Sequence, residues 1–265
     1  MNWFLAYAAL GMFSGFCAGM FGVGGGAVMV PILTSMFAAQ AFPHEHVLHL
    51  ALGSSMATIV FTSMSSLWAH HRRGAVMWPL VIRIAPAIVI GTLLGSQCAS
   101  RIPTKPLGIF FAVFMVCVAI QFFFGARASA QRELPGTLGI SLAGLVIGAI
   151  SALVAIGGGS LSIPFMTWCK VRLHHAIGTS AAIGLPIALS GTVGYLTTGW
   201  NVDGLPANSA GYLYLPAILG MAATSVFAAP LGAKTAHQLP AQIMGKLFAA
   251  LLVLLSAKML HTLFA

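Results

Sequence analysis

The stretch GVGGGAVMVPIL, Gly22 to Leu33, sets four glycines and a proline among twelve residues that are otherwise as apolar as a membrane helix. A second, AIGGGSLSIPFM, runs from Ala155 to Met166. Each interrupts a long apolar region, about residues 3 to 39 and 136 to 169. A continuous helix over the first would measure roughly 55 Å at about 1.5 Å per residue, too long for one span of a hydrocarbon core about 30 Å thick. Each region is therefore expected to fold back at its glycines. Such a break leaves backbone N–H groups unpaired, which a bilayer tolerates only where protein or a water-filled cavity satisfies them.

Working outward, the rest of the chain reads as membrane. Of 265 residues, 59% are hydrophobic and 6% charged, against roughly 25% charged in soluble domains. Six uninterrupted apolar stretches of spanning length follow the breaks: 46 to 70, 75 to 99, 106 to 125, 174 to 198, 211 to 233 and 240 to 262. The acids are Glu45, Glu133 and Asp203, and the twelve Lys and Arg leave a formal charge of +9. Most bases sit at segment ends rather than on one solvated face, which argues against a nucleic-acid partner. The first Lys or Arg is Arg72, so residues 1 to 22 lack the positive start of a cleaved signal peptide and read as mature structure. Cys17, Cys98, Cys117 and Cys169 show no metal-ligand spacing and read as buried small hydrophobes.

The chain repeats itself. Gly15, Gly24, Gly25, Gly26 and Pro31 match Gly148, Gly157, Gly158, Gly159 and Pro164 at a constant offset of 133 residues. HLALGSSMA (His49 to Ala57) matches HHAIGTSAA (His174 to Ala182), and LGSQCASRIPTKPLG (Leu94 to Gly108) matches LGAKTAHQLPAQIMG (Leu231 to Gly245). The halves are 1–125 and 136–265, joined by a linker at 126–135. If each GGG region is a hairpin that leaves and returns on one side, each half makes an odd number of crossings and the second is inverted. Arg72, Arg73, Arg127, Arg132, Lys170, Arg172 and Lys234 then share one side, facing Arg101, Lys105 and Lys258 on the other. By the positive-inside rule both termini lie outside. The expected fold is an all-α integral membrane protein of two inverted repeats, each a broken GGG hairpin plus three full transmembrane helices.

Inverted repeats bring two broken segments together near the midplane, where secondary transporters commonly hold substrate. Glycine permits tight reversal and leaves amides uncovered, and the helices that follow, starting near Ala27 and Ser160, point positive dipole ends at the same place. Gly24, Gly25, Gly26, Gly157, Gly158, Gly159 and Ser160 are thus candidate anion ligands, whereas isolated glycines such as Gly91 and Gly144 read as helix packing. The matched Ser54, Ser55, Thr179 and Ser180 offer uncharged hydroxyl donors, or bonds to their own helix. Arg83, inside a span, is a candidate partner for the anion unless it snorkels. His49 and His174, matched by the repeat, are candidates for proton coupling. The remaining histidines sit near segment ends as interfacial anchors rather than metal ligands. No acid lies deep in a span, which disfavours a cation pathway, and no P-loop pattern is present to hold a nucleotide.

GVGGGAVMVPIL, IGGGSLSIPFM and HAIGTSAA (His175 to Ala182) resemble the sulfite exporter TauE/SafE family of membrane permeases, over residues 3 to 262. The resemblance implies a multi-pass permease of the bacterial cell inner membrane for small organosulfur or sulfur oxyanions such as sulfite and sulfonates, with no cofactor. The expected function is secondary transport, with both termini periplasmic. The alternatives are an anion channel and an intramembrane enzyme. The latter could pair Ser180 with His174 or His175, but lacks a G-x-S-x-G elbow, a third member and a deep acid. The partners are a small anion and the lipid bilayer; a homodimer is compatible with the sequence but not demanded by it.

Overall fold

The computed structural model describes residues 2–21, 24–124, 133–236 and 241–264, which hold ten helices and one small hairpin. The first half contributes α1 (Trp3–Phe21), α2 (Gly26–Ala39), α3 (Val47–Arg72), α4 (Trp78–Arg101) and α5 (Thr104–Phe124). The second contributes α6 (Thr137–Val154), α7 (Gly159–Trp168), α8 (Leu173–Gly199), the strands β1 (Ser209–Ala210) and β2 (Leu213–Tyr214), α9 (Leu215–Ala236) and α10 (Ala241–Phe264). Among the described residues, eight helices are long and apolar enough to cross a membrane. The other two, α2 and α7, have 14 and 10 residues. The chain is an all-α membrane protein, broken at the two GGG clusters, with one helix occupying most of each of the six predicted spans.

The hairpin is the departure from the predicted spans, because residues 211 to 214 were expected to belong to the helix that starts at Leu215. Asn208 and Gly211 both take left-handed φ angles, +67° and +55°, and the antiparallel pairs Ser209 with Tyr214 and Ala210 with Leu213 follow. Apolar composition alone does not show such a turn. Two cysteine readings also change: Cys98 and Cys117 are exposed on the outer faces of α4 and α5, while Cys17 and Cys169 are buried. A thiol on a lipid-facing surface needs no burial in protein to stay out of water.

At the centre α3 and α8 run antiparallel, with Gly53 beside Tyr195, Gly191 beside Met56 and Gly184 beside Ser63. The outer helices turn large apolar side chains outward, Phe124, Leu138 and Phe227 each about three-quarters exposed, as lipid contact requires and water would penalise. The opening helix of each half lies along the penultimate helix of the other. Gly11 and Gly15 of α1 press on Met221 and Ser225 of α9, and Gly144 and Gly148 of α6 press on Ile84, Ile88 and Thr92 of α4. Gly91 of α4 in turn meets the Leu145 carbonyl. Small residues let these backbones approach, the means by which helices associate in lipid.

Both broken segments return to the side they left. The Gln40 amide donates to the Tyr7 hydroxyl at 2.6 Å, which sets the end of α2 beside the start of α1. Glu133 and Leu134, before α6, share a shallow surface pocket with Cys169, Lys170 and Arg172, after α7. The helix directions then put Arg72, Arg73, Lys170, Arg172 and Lys234 at one end and Arg101, Lys105 and Lys258 at the other. Arg127 and Arg132 lie outside the described residues.

A methyl group at Gly148 would press on the Ile88 carbonyl and lie 2.9 Å from the Thr92 nitrogen, whereas nothing lies within 4 Å of one at Gly136. Gly148→Ala is expected to destabilise the protein by about 1–3 kcal/mol through overpacking. Gly136→Ser, at a helix N-cap, should change stability by less than about 0.5 kcal/mol. Thermal unfolding in detergent distinguishes the two.

Candidate functional site

The glycine loops are built from backbone angles that side chains disfavour. Gly24, Gly25 and Gly158 take φ of +79°, +80° and +84°, in the left-handed region. Gly25 and Gly158 are the N-caps of α2 and α7. Their carbonyls accept from Val28 and Met29 in one loop and from Leu161 and Ser162 in the other. The opening amides of each helix, at Gly26 and Ala27 and at Gly159 and Ser160, precede the first intrahelical acceptor.

The two loops touch each other. A Cβ at Gly24 would lie 2.9 Å from the Gly157 Cα, and one at Gly157 would lie 3.2 Å from the Gly24 Cα and 3.4 Å from Ile59. A Cβ at Gly26 would overlap the Ala155 carbonyl, and one at Gly184 would lie 2.7 Å from the Gly157 carbonyl. Ile59 and Gly184 are halfway along α3 and α8, so the loops meet at the middle of the molecule.

A cavity of about 240 Å³ ends on this meeting point. Gly24 and Gly157 close it; Thr62, Ser63, Ser65, Ser66, Ala69 and His70 of α3, with Arg73 just past its end, form one wall; His174, Ile177 and Ala181 of α8 form another. The lining carries the Arg73 guanidinium and no carboxylate, which suits an anion. Along α3 burial deepens away from Arg73, and Thr62 and Ser63 are already buried. Residues 62 to 73 border the cavity on one face, whereas Ile59, Met56, Ser55, Ser54 and Leu52 are fully buried. The buried end is closed by rings: Phe37, Phe42 and Tyr214 lie 5.1 to 5.5 Å apart, with Tyr7 6.2 Å from Tyr214.

The α3 wall escaped sequence reasoning. Its signal was the polar run Thr62-Ser63-Met64-Ser65-Ser66 inside an apolar helix, with Ala69, His70 and Arg73 following at helical spacing on one face. Of the predicted residues, Gly24, Gly157 and His174 line the cavity. Gly25, Gly26, Gly158 and Gly159 lie behind them, shaping the loops.

The matched hydroxyls have another use. Ser54 Oγ accepts the Tyr214 N–H at 3.0 Å, and Thr179 Oγ1 accepts the Met77 N–H at 3.0 Å. Each therefore receives the backbone amide just ahead of α9 or α4. The glycine before each hydroxyl lets that connection come close: Gly53 meets the Tyr212 carbonyl, and a Cβ at Gly178 would lie 2.6 Å from the Ala75 carbonyl. The G-[ST]-S motif is thus a dock for the segment entering the opposite half's penultimate helix. Ser180 and Ser162 hydroxyls lie 2.8 Å apart, while among the described residues Ser55 Oγ and Ser160 Oγ are buried with no hydrogen-bond partner.

Arg83 is not at the cavity. It lies with the strongly exposed Ile82 on the outer face of α4, opposite the buried Val81, Ile84 and Ile88. Five residues from the helix start, a snorkelling guanidinium reaches the membrane surface without crossing the core. His49 is nearly buried, its Nε2 donating to the Ala99 and Ile102 carbonyls at 3.1 and 3.2 Å and its ring stacked on Tyr212. Among the described residues, no three His, Cys, Asp or Glu side chains converge as metal ligands. At the end of α7, burial pushes the Cys169 thiol above its ordinary pKa, leaving it protonated and a poor nucleophile.

The model of a known family, described as sulfite exporter TauE/SafE, matches residues 7–259. The chain belongs to this family. A probable membrane transporter protein of Haemophilus influenzae is 34% identical over 251 residues, covering 94% of this chain and 95% of that one. A second, from Methanocaldococcus jannaschii, is 27% identical over 230 residues, covering 85% and 83%. A third, from Bacillus subtilis, is 26% identical over 194 residues, covering 70% and 76%. No solved structure matches the chain. This TauE/SafE protein is a membrane transporter and not an enzyme.

Removing either docking hydroxyl strands a backbone donor. Ser54→Ala and Thr179→Val are each expected to cost about 1–3 kcal/mol. Hydrogen–deuterium exchange should quicken at the start of α9 in the first variant and of α4 in the second, and at neither end in the other.

Proposed function

We propose that this TauE/SafE protein is a secondary transporter of small organosulfur or sulfur oxyanions, such as sulfite or sulfonates, and holds the anion where the two glycine loops meet. The observation that carries this reading is the cavity, which ends on Gly24 and Gly157 halfway along α3 and α8, with Arg73 in its wall and no carboxylate. Two helices, α2 and α7, begin at the same loops, and their positive ends favour negative charge. Secondary transporters place substrate at such broken helices. The hydroxyls of Ser63 and Ser66 can donate to an oxyanion along the approach without holding it as a fixed charge would, whereas Thr62 donates its proton to the Ile59 carbonyl. Sulfur is favoured by the family's own description. Transport draws on an ion or membrane-potential gradient, and His174, which shares the cavity wall with His70, is placed to carry a proton. By the positive-inside rule the Arg73 end faces the cytoplasm of a bacterial inner membrane, and both termini are periplasmic.

Counterflow of radiolabelled sulfite, sulfoacetate and a carboxylate control in proteoliposomes tests this. The wild type should exchange the sulfur anions and not the carboxylate. Gly157→Ala, whose methyl intrudes between the loops, is expected to slow exchange about tenfold, or about 1.4 kcal/mol. Arg73→Gln should raise the half-saturating concentration by a similar factor through loss of a charge-assisted contact, while Arg83→Gln should match wild type. Absence of sulfur-anion exchange, or wild-type exchange in both Gly157→Ala and Arg73→Gln, would sink the reading.

A further inference from the structure

The cavity opens toward the Arg73 end, whereas at the opposite end the described residues of α3 are buried beneath the rings of Phe37, Phe42 and Tyr214. Resting on the transport reading above, we propose that this buried end contains the symmetry mate of the cavity, lined by His49, Leu52, Met56 and Ser151, which opens to the opposite face as the present cavity closes.

Three observations converge on it. Three residues of α8 line the open cavity, His174, Ile177 and Ala181. Their counterparts on α3, by the offset that relates Gly53 to Gly178, are His49, Leu52 and Met56, which are 3%, 0% and 0% exposed. Corresponding positions of two antiparallel helices thus stand in opposite environments. A symmetric pair of halves has no reason to differ so unless the asymmetry is exchanged between them.

The second observation is polar atoms stranded in the closed half. Ser151, the counterpart of the cavity residue Ala18, is fully buried, and its Oγ has no hydrogen-bond partner among the described residues. His49 Nδ1 likewise has no partner of ordinary geometry, although Nε2 is well bonded. Buried unpartnered polar atoms are costly and call for a reason. Opening a cavity along α3 and α6 would return both to water.

The third is the unequal closure of the two ends. Phe37 and Tyr214 belong to the ring cluster that seals the closed end. Their counterparts, Lys170 and Met77, instead line an open surface pocket at the other end. The docking bonds from Met77 to Thr179 and from Tyr214 to Ser54 are intact at both ends. The docks therefore do not distinguish the two states, and the ring cluster is the part that must separate.

Cysteine accessibility tests the proposal in full-length protein whose four native cysteines are replaced by alanine. Ser66→Cys, Leu52→Cys and Met56→Cys are each treated with a membrane-impermeant maleimide, applied to one face at a time using right-side-out and inside-out vesicles. Ser66→Cys should label from the Arg73 face, and Leu52→Cys and Met56→Cys from the opposite face alone. Adding sulfite on one side should change the two rates in opposite directions. If neither Leu52→Cys nor Met56→Cys labels from the opposite face while Ser66→Cys labels normally, the proposal is overturned. Labelling without any sulfur-anion exchange in counterflow would support the second cavity and discard the substrate reading. Exchange without labelling would do the reverse.

Discussion

The contact between Gly24 and Gly157 is the constraint from which the rest of the architecture follows. Two backbones approach closely enough that a single methyl on either would intrude on the other, and they do so at the middle of a bundle that must otherwise keep every amide paired. Nothing larger than glycine fits, and the reversals at Gly25 and Gly158 need the left-handed backbone that glycine adopts without penalty. The short lengths of α2 and α7, the folding back of both broken segments and the position of the cavity all follow from that meeting.

Interleaving holds the meeting in place. Because α1 lies along α9 and α6 along α4, each loop is carried by a helix packed on the other half. The docks act in the same sense, with Ser54 receiving the amide before α9 and Thr179 the amide before α4. A hydroxyl that binds a backbone donor in an apolar interior is worth more as an anchor than as a ligand, since leaving the donor bare is expensive. The hydroxyls that border the cavity lie further along α3, from Thr62 to Ser66, on the same face as Arg73.

The proposed transport reading asks a chain with few charges to handle one. Arg73 lines the cavity and the starts of α2 and α7 lie behind Gly24 and Gly157, so positive potential comes from one side chain and from fixed backbone dipoles. Arg83, on the lipid-facing side of α4, contributes to the membrane surface instead.

Much of this was legible in the residues. The six continuous spans, the two breaks and the duplication could be read because apolar length, glycine clusters and a constant offset survive without knowledge of contacts. Gly24 and Gly157, candidate anion ligands in the sequence, line the cavity. The roles of Ser54, Thr179 and Arg83 were not legible, because a hydroxyl two turns into a helix or a guanidinium five residues from its start looks alike whether it faces a ligand, a neighbouring backbone or lipid. Helical periodicity shows which residues share a face; which face meets the cavity depends on how α3, α4 and α8 are rotated against their neighbours, and that is decided by packing between residues more than a hundred positions apart. Sequence by itself determined that the chain spans a membrane as two related halves, each broken at its glycines. Only the tertiary structure decided that the breaks touch, that the cavity opens at one end, and that Thr62 to Arg73 form its wall.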